Sequence, residues 1–354
     1  MIQTRTERLL ERLEDLASDA ILVTGAANRR YLSGFTGTSG VLLIAPANRC
    51  LITDARYTEQ ARGQAKGFDV IEDADTLSRI AAWVTDYSIG RLGIEVDHTS
   101  LKQHEELIAC LHNLEETPEV VRLEDVIETQ RMVKDGVELA AIREAVRLAD
   151  DIMAWAEQSL RVGVSERKLA MDLEYRMRQV GGDGPAFPTI VASGVNAAMA
   201  HHEPSEEKIV SGVPIVIDLG VRLDGYCSDI TRTFILGSPD DVFREVYAIV
   251  LEAQLAVETG MRPGMTGREV DNLARNVIAD ADYAENFGHG TGHGVGLEIH
   301  EGPRLSPKGT NVLRAGAVTS VEPGIYLQGW GGVRIEDLVS LRENDVEVLT
   351  QSAK

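Results

Sequence analysis

Cysteine is scarce in this sequence: the 354 residues include only three, Cys50, Cys110 and Cys227. Their odd number and wide spacing offer neither a disulfide framework nor a CxxC zinc site. Unpaired, scattered cysteines fit a reducing compartment, so we expect a cytoplasmic location.

Basic residues are outnumbered, with 35 Lys and Arg against 56 Asp and Glu and a formal net charge of −21. Nucleic acids and anionic membranes are polyanions that bind clustered Lys and Arg, so we expect neither as a partner. Long apolar runs are missing too, since none approaches the ~20 residues of a membrane span. The first twenty residues mix arginines with acidic residues, which predicts an amphipathic helix rather than a targeting peptide.

The chain is longer than one typical domain of about 100–200 residues, which favours two domains. Its N-terminal part alternates short apolar runs with helical stretches and predicts an α/β domain. The apolar runs are Ala20–Gly25, Gly40–Ala45, Cys50–Thr53 and Leu92–Val96. Asp135 with Glu138 three residues later predicts the start of a long helix. We therefore predict domains at residues 1–127 and 128–354.

The second domain mixes helices and strands. Helices are expected at about 135–161 and 165–180, and a strand-rich region at 289–349. Further strands are expected at Phe187–Ser193, Val213–Val221 and Gly225–Leu236. Helices separated from a run of strands predict an α+β fold with a largely antiparallel sheet.

Two aspartates lie in apolar strands of this domain. Asp218 alone could equally be paired with an arginine or bind a metal, because a lone buried carboxylate needs a partner. Asp229 follows a turn at Leu223–Gly225 that would fold its segment back beside Asp218. Two facing carboxylates favour a cation between them.

Glycine occupies every even position from 288 to 296, with His289, Thr291 and His293 between them. So many glycines disfavour a helix, and the alternation favours a strand with one face stripped for close approach of backbone or ligand. His300 lies an odd number of residues beyond His293. It would face the opposite side of a continuous strand, unless a bulge or turn intervenes.

Two glutamates complete the set. Glu322 ends an apolar strand at a Pro-Gly turn, and Glu336 lies two residues after Arg334, with which an ion pair would explain it alone. As a set, four carboxylates and one imidazole offer more ligand oxygen than one small divalent ion needs, and they suit two ions. We therefore predict a two-metal hydrolase that uses Asp218, Asp229, His293, Glu322 and Glu336.

These motifs together resemble the metallopeptidase family of Xaa-Pro aminopeptidases and Xaa-Pro dipeptidases (prolidases), which have the pita-bread fold. The matching segments are IDLG (217–220), YCSDITRTF (226–234), GHGTGHGVGLEIHE (288–301), SVEPGIY (320–326) and GGVRIED (331–337). YLSGFTG (31–37) and ITDARY (52–57) resemble the creatinase-type N-terminal α/β domain of that family. The resemblance implies an α+β pita-bread catalytic domain behind a smaller α/β domain.

The resemblance also implies an activity. A hydroxide bridging two ions, most often Mn²⁺ or Co²⁺ with Zn²⁺ also possible in this family, would hydrolyse the Xaa-Pro bond in dipeptides or at the N-terminus of longer peptides. The substrate is then a peptide with proline at the second position, and the family suggests a homodimer. Whether dipeptides or longer peptides are cleaved is left open by the sequence.

Roles follow from the resemblance residue by residue. Asp218 would bind one ion, Asp229 and Glu336 would bridge the two, and His293 and Glu322 would bind the second. His201 takes the position of the family's catalytic histidine, although spacing alone favours a surface pair with His202. His201 and His300 would contact the scissile bond, Glu322 would also act in proton transfer, and His289, Tyr326 and Arg334 would lie beside ligands or substrate.

One segment departs from the family: Ala200-His201-His202-Glu203-Pro204 stands where many relatives have proline before the histidine and glycine after it.

Three alternatives share the fold. An inactive protein that binds peptides or partners, or a creatinase-like hydrolase of a guanidino compound, would not need the five metal ligands. A methionine aminopeptidase would need them, but it generally lacks the preceding α/β domain.

Overall fold

The computed structural model describes residues 2–354 and divides into two compact units. The first unit ends at Gln130 and the second comprises Arg131–Lys354. The expected boundary after residue 127 lies inside the helix Val126–Arg131, three residues before this division.

The first unit contains a six-stranded mixed sheet with the order β4-β3-β2-β1-β5-β6. Its strands are β1 (Ala20–Val23), β2 (Val41–Ile44), β3 (Arg49–Thr53), β4 (Asp69–Glu72), β5 (Arg91–Glu95) and β6 (Glu119–Leu123). Its helices are α1 (Ile2–Leu10), α2 (Ala26–Ser33), α3 (Thr58–Gln64), α4 (Thr76–Asp86), α5 (Leu101–Leu111) and α6 (Val126–Arg131). The four predicted strands are therefore confirmed. The apolar pattern missed β4 and β6, whose residues are mostly exposed or half-buried.

The second unit has four long helices: α7 (Gly136–Ser159), α8 (Glu166–Gln179), α9 (Asp241–Gly260) and α10 (Gly267–Asp280). The side chain of Asp135 accepts hydrogen bonds from the first turn of α7, and the Glu138 side chain accepts one from the Asp135 backbone. This reciprocal capping confirms the predicted start of the long helix.

All strand pairs described in the second unit are antiparallel, as predicted. A three-stranded sheet has the order β12-β9-β8, and a five-stranded sheet has the order β14-β13-β15-β18-β19. The strands are β7 (Gly184–Pro185), β8 (Ile190–Ser193), β9 (Pro214–Leu219), β10 (Val221–Leu223), β11 (Tyr226–Cys227), β12 (Ile230–Ile235), β13 (Gly292–Gly294), β14 (Glu301–Leu305), β15 (Val318–Val321), β16 (Gly324–Leu327), β17 (Gly331–Arg334), β18 (Asp337–Leu341) and β19 (Val346–Val348).

Two large hydrophobic cores stabilise this unit, beside smaller apolar clusters. One combines residues of α7 and α8 with Ile215, Ile217 and Leu219 of β9. The other combines residues of α9 and α10 with apolar residues of β15 to β18. Each fully buried aliphatic side chain contributes about 1.5–3 kcal/mol. Because side chains alternate along a strand, the face of β9 opposite Ile217 presents Asp218.

Among the described helices, none combines the length and the apolar character that a membrane span requires.

Candidate metal centre and active site

The hairpin of β9 and β12 brings the first two carboxylates together. Thr231 pairs with Asp218 across the two strands, and Asp229 directly precedes β12. Gly220 permits this arrangement, because a Cβ there would lie 2.1 Å from the carbonyl oxygen of Ser228. The predicted hairpin is confirmed, and both carboxylates are buried.

Glu336 reaches the same place from the segment between β17 and β18. Its backbone N–H donates to Thr231 O at 3.1 Å, and its carboxylate accepts from Thr231 Oγ1 at 2.8 Å. Ligand oxygens of Asp218, Asp229 and Glu336 all lie within 4.8 Å of one another. An ion pair with Arg334 was the alternative explanation for Glu336. Arg334 instead forms its ion pair with Asp218, at 2.7 Å.

His293 and Glu322 stand beside these carboxylates. His293 lies in β13, and its Nε2 is 3.2 Å from Glu322 Oε1 and 3.7 Å from Asp229 Oδ2. Gly292 explains how the strands approach so closely, since a Cβ there would lie 2.1 Å from Ser320 O. The five residues expected to bind metal are thus gathered at one place.

A turn changes the position expected for His300. Residues 295–300 form a loop between β13 and β14 rather than a continuous strand. The rings of His293 and His300 therefore lie side by side, with centroids 4.4 Å apart. This loop is the intervening turn that the sequence left open, and with it His300 does not face away from His293.

A cavity of about 630 Å³ opens onto the carboxylates, within the range of small-molecule sites. His201, His289 and His300 line it together with Arg334. Tyr326 lies next to it and bonds to two of these side chains: its hydroxyl is 2.8 Å from His289 Nε2 and 2.9 Å from Arg334 Nη1. Cys227 is buried in an apolar cluster.

Burial and mutual repulsion dominate the electrostatics of the carboxylates. Burial, together with the charges of neighbouring carboxylates, raises the pKa of Asp229 and of Glu336 well above the usual range. Burial also raises the pKa of Asp218, against the opposing effect of Arg334. Glu322 differs: burial raises its pKa, but the hydrogen bond and charge of His293 outweigh this and bring it to about 2.

The donor set fits divalent ions. Asp218 Oδ1 is buried and accepts no hydrogen bond from the described residues, so one oxygen faces the cluster without a proton donor. Carboxylate oxygens with one imidazole suit hard or borderline divalent cations. A cation would also offset the repulsion that raises the carboxyl pKa values. Such a fold and site define the class of metal-dependent hydrolases.

The comparisons with known proteins agree with this class. Residues 140–343 match Metallopeptidase family M24, and residues 5–133 match the Creatinase/Prolidase N-terminal domain. The chain therefore belongs to metallopeptidase family M24, whose members use divalent metal ions, and it has the predicted pita-bread domain behind a creatinase-type domain.

Relatives match over nearly the whole chain. The Xaa-Pro dipeptidase of Pyrococcus horikoshii is 35% identical over 357 residues, covering 100% of this chain and 99% of that protein. The structure of an Xaa-Pro dipeptidase from Bacillus anthracis matches with a TM-score of 0.96 and 39% identity, covering 100% and 99% of the two chains. An X-Pro aminopeptidase from Thermotoga maritima MSB8 matches with a TM-score of 0.90 and 38% identity, covering 99% and 98%.

The structure also contains polar groups that the sequence reasoning missed. In the first unit, oxygens of Glu95 and Glu128 and a ring nitrogen of His98 lie close enough together to hold a metal ion. Glu95, however, already accepts hydrogen bonds from the backbone N–H groups of Thr24 and Gly25, at 2.6 and 2.8 Å. This carboxylate thus satisfies the backbone at the start of α2, and His98 is hydrogen bonded to Glu128.

Metal-free protein should lose stability as the pH rises from 5 to 8. A carboxyl whose folded pKa is raised contributes stability that is complete below its unfolded pKa of about 4. That contribution disappears as the pH rises through the raised folded pKa of Asp229 and Glu336. Because Mn²⁺ binds deprotonated carboxylates, its gain in melting temperature should be larger at pH 8 than at pH 5. Melting with EDTA and with excess Mn²⁺ at each pH checks this, and a gain independent of pH would contradict it.

Proposed function

We propose that this protein is a two-metal exopeptidase that hydrolyses the bond between an N-terminal residue and proline. The observation that carries the proposal is the meeting of Asp218, Asp229, His293, Glu322 and Glu336 at one cavity. Full-length similarity to Xaa-Pro dipeptidases supports dipeptides as the first substrate class. Similarity to an X-Pro aminopeptidase supports longer peptides as the second candidate.

Asp218, Asp229, His293, Glu322 and Glu336 would hold the two ions, for which we propose Mn²⁺ or Co²⁺. When bound, the ions would supply Lewis acidity and lower the pKa of a water molecule. Arg334 would keep one oxygen of Asp218 in place, since it donates to Oδ2 while Oδ1 remains without a donor.

The remaining polar groups would act on the substrate. His201 and His300 line the cavity, and we propose that they donate hydrogen bonds to the oxygen that gains negative charge at the scissile carbonyl. Burial lowers the pKa of His300, so its ring is neutral and keeps one N–H for such a bond. Glu322 would accept and return a proton; the hydrogen bond and charge of His293 lower its pKa, so it is ionised at neutral pH and its carboxylate is free of a proton before the reaction.

The cavity wall fits a proline ring. Phe187, Pro188, Ile190 and Ile299 provide apolar surface beside the polar groups. An Xaa-Pro bond has no N–H, so recognition by strand-like backbone pairing lacks its donor at that nitrogen. Contact of the ring with an apolar wall supplies the missing selectivity.

Two peptides test the proposal on protein stripped of metal and then supplied with Mn²⁺ or Co²⁺. One is an Xaa-Pro dipeptide and the other a longer Xaa-Pro-Xaa peptide, each with a matched Xaa-Ala control. We expect metal-dependent cleavage of the dipeptide and no comparable cleavage of the controls. Preferred cleavage of the longer peptide would make the enzyme an aminopeptidase, and failure on both, with two ions bound, would overturn the substrate class.

A further inference from the structure

Glu166, the first residue of α8, is fully buried and has an unusually complete set of hydrogen bonds. Its Oε1 accepts from the Ser193 backbone N–H at 2.7 Å and from Asn196 Nδ2 at 3.0 Å. Its Oε2 accepts from His202 Nε2 at 2.8 Å, and from the Ser205 N–H and hydroxyl at 3.0 and 2.6 Å. All five donors belong to one segment, residues 193–205.

That segment carries His201. The His201 side chain is exposed to the cavity, and its ring makes no hydrogen bond with the described residues. Its position is therefore set by the backbone around it. Arg334 donates to the carbonyl of Ala200 at 3.2 Å on one side, and Glu166 holds the ring of His202 on the other.

The charge of Glu166 suits this task. Burial alone would raise its pKa, but the hydrogen bonds from Ser205, Asn196 and His202 outweigh burial and lower it. An ionised carboxylate can only accept hydrogen bonds, so both of its oxygens can hold the segment at once. A neutral amide would turn an N–H₂ group toward donors that are buried with it, which leaves them unsatisfied.

We propose that Glu166 is a positioning residue that acts through His202 to fix His201 beside the carboxylate cluster. The inference rests on the proposed function, in which His201 contacts the substrate. It also gives a physical role to His202, whose ring nitrogen lies 2.8 Å from Glu166 Oε2. The His202 ring is a donor to Glu166, whereas a glycine at this position would leave Oε2 without that bond.

Matched variants at His202 test the proposal. His202→Phe keeps a ring and removes the donor, whereas His202→Gln keeps an N–H near the position of Nε2. For His202→Phe we expect kcat to fall about 100-fold, because small misplacements of a group at the reacting centre cost rates of this order. KM should change much less, metal content should stay at the wild-type value, and His202→Gln should recover most of the lost rate.

Hydrogen exchange measures the anchoring without any substrate. In Glu166→Gln and in His202→Phe, peptides that cover residues 193–205 should exchange about tenfold faster than in the wild type. Glu138→Gln is the matched control, since Glu138 is another buried carboxylate at the start of a helix and lies outside this segment. It should alter stability without altering exchange at 193–205. The double variant Glu166→Gln/His202→Phe should lose no more rate than the worse single variant, because both changes break the same link.

The outcomes separate the two proposals. Unchanged exchange in both Glu166→Gln and His202→Phe overturns the anchoring, and faster exchange with an unchanged kcat overturns the positioning of His201. A raised KM with unchanged kcat and exchange would make His202 a substrate contact instead. If the wild type cleaves neither Xaa-Pro peptide, the proposed function fails, while the exchange data still decide whether Glu166 holds the segment.

Discussion

Replacing Asp229 with Asn, or Glu336 with Gln, should abolish peptidase activity without destabilising the metal-free fold at neutral pH. Each change removes a ligand from the proposed two-ion site, and metal ions contribute several kcal/mol of transition-state stabilisation. Since 1.36 kcal/mol corresponds to a factor of ten, kcat/KM should fall by about 1,000-fold or more.

The stability part of this prediction follows from the raised pKa of both carboxyls. Burial and the charges of neighbouring carboxylates make ionisation of these two carboxyls costly, and a neutral amide of the same shape avoids that cost. The melting temperature of the metal-free variants should therefore equal or exceed that of the metal-free wild type. Activity assays, metal analysis and melting curves in EDTA check the three parts, and full turnover by either variant would contradict the two-metal assignment.

Asp337 provides a sharp control, because it is buried directly beside Glu336 in sequence and has the opposite electrostatics. Arg232 and Lys354 each lie 2.7 Å from its oxygens, and they outweigh burial and hold its pKa below the usual range. Asp337→Asn removes a compensated charge and should lower the stability of the metal-free protein. Equal responses of Glu336→Gln and Asp337→Asn would show that repulsion within the cluster is not the cause.

Arg334→Met should destabilise the protein by about 3–5 kcal/mol, the usual effect of removing one partner from a buried ion pair. The guanidinium donates to Asp218 Oδ2 at 2.7 Å, to Thr231 Oγ1 at 3.1 Å and to the Tyr326 hydroxyl at 2.9 Å. Methionine fills much of the volume but leaves Asp218 among like charges. Urea unfolding of metal-free protein gives the free energy of unfolding directly.

The pH dependence distinguishes charge from packing. Arg334 lowers the pKa of Asp218, so its removal raises that pKa further. Protonation at low pH then neutralises Asp218, and the destabilisation should be smaller at pH 5 than at pH 8. Arg334→Lys should retain part of the stability, because an ammonium keeps the charge but cannot reproduce the fork of hydrogen bonds. A loss in Arg334→Met that is the same at both pH values would indicate packing alone.

Much of the site was predictable from local sequence. The turn after Leu223 and the apolar strands on either side of it predict the pairing of β9 with β12, and therefore the approach of Asp218 to Asp229. The alternating glycines from 288 to 296 predict a strand with a bare face, and the contact of Gly292 with Ser320 gives the reason. These features succeed because neighbouring residues determine strand pairing and side-chain alternation.

Other parts depend on contacts that no local pattern reveals. His300 lies beside His293 because a loop interrupts a segment that the sequence predicts to be a strand. Glu166 reads as an ordinary acidic residue in the first turn of a helix, and its five donors lie 27 to 39 positions further along the chain. Spacing alone favoured a surface pair for His201 and His202, whereas the His202 side chain is largely buried against Glu166.

The ligands are divided between the two large hydrophobic cores of the second unit, and this has a consequence for how the fold is held together. Asp218 stands on the hairpin packed against α7 and α8, whereas Glu322 follows β15, whose Val321 belongs to the core with α9 and α10. An ion held by Asp229, which precedes β12 of the same hairpin, and by Glu322 would cross-link positions 93 residues apart, closing a loop whose entropic cost rises only slowly with length. The adhesion between the two cores would then vary with the supply of metal in the surroundings, while the apolar packing inside each core would not.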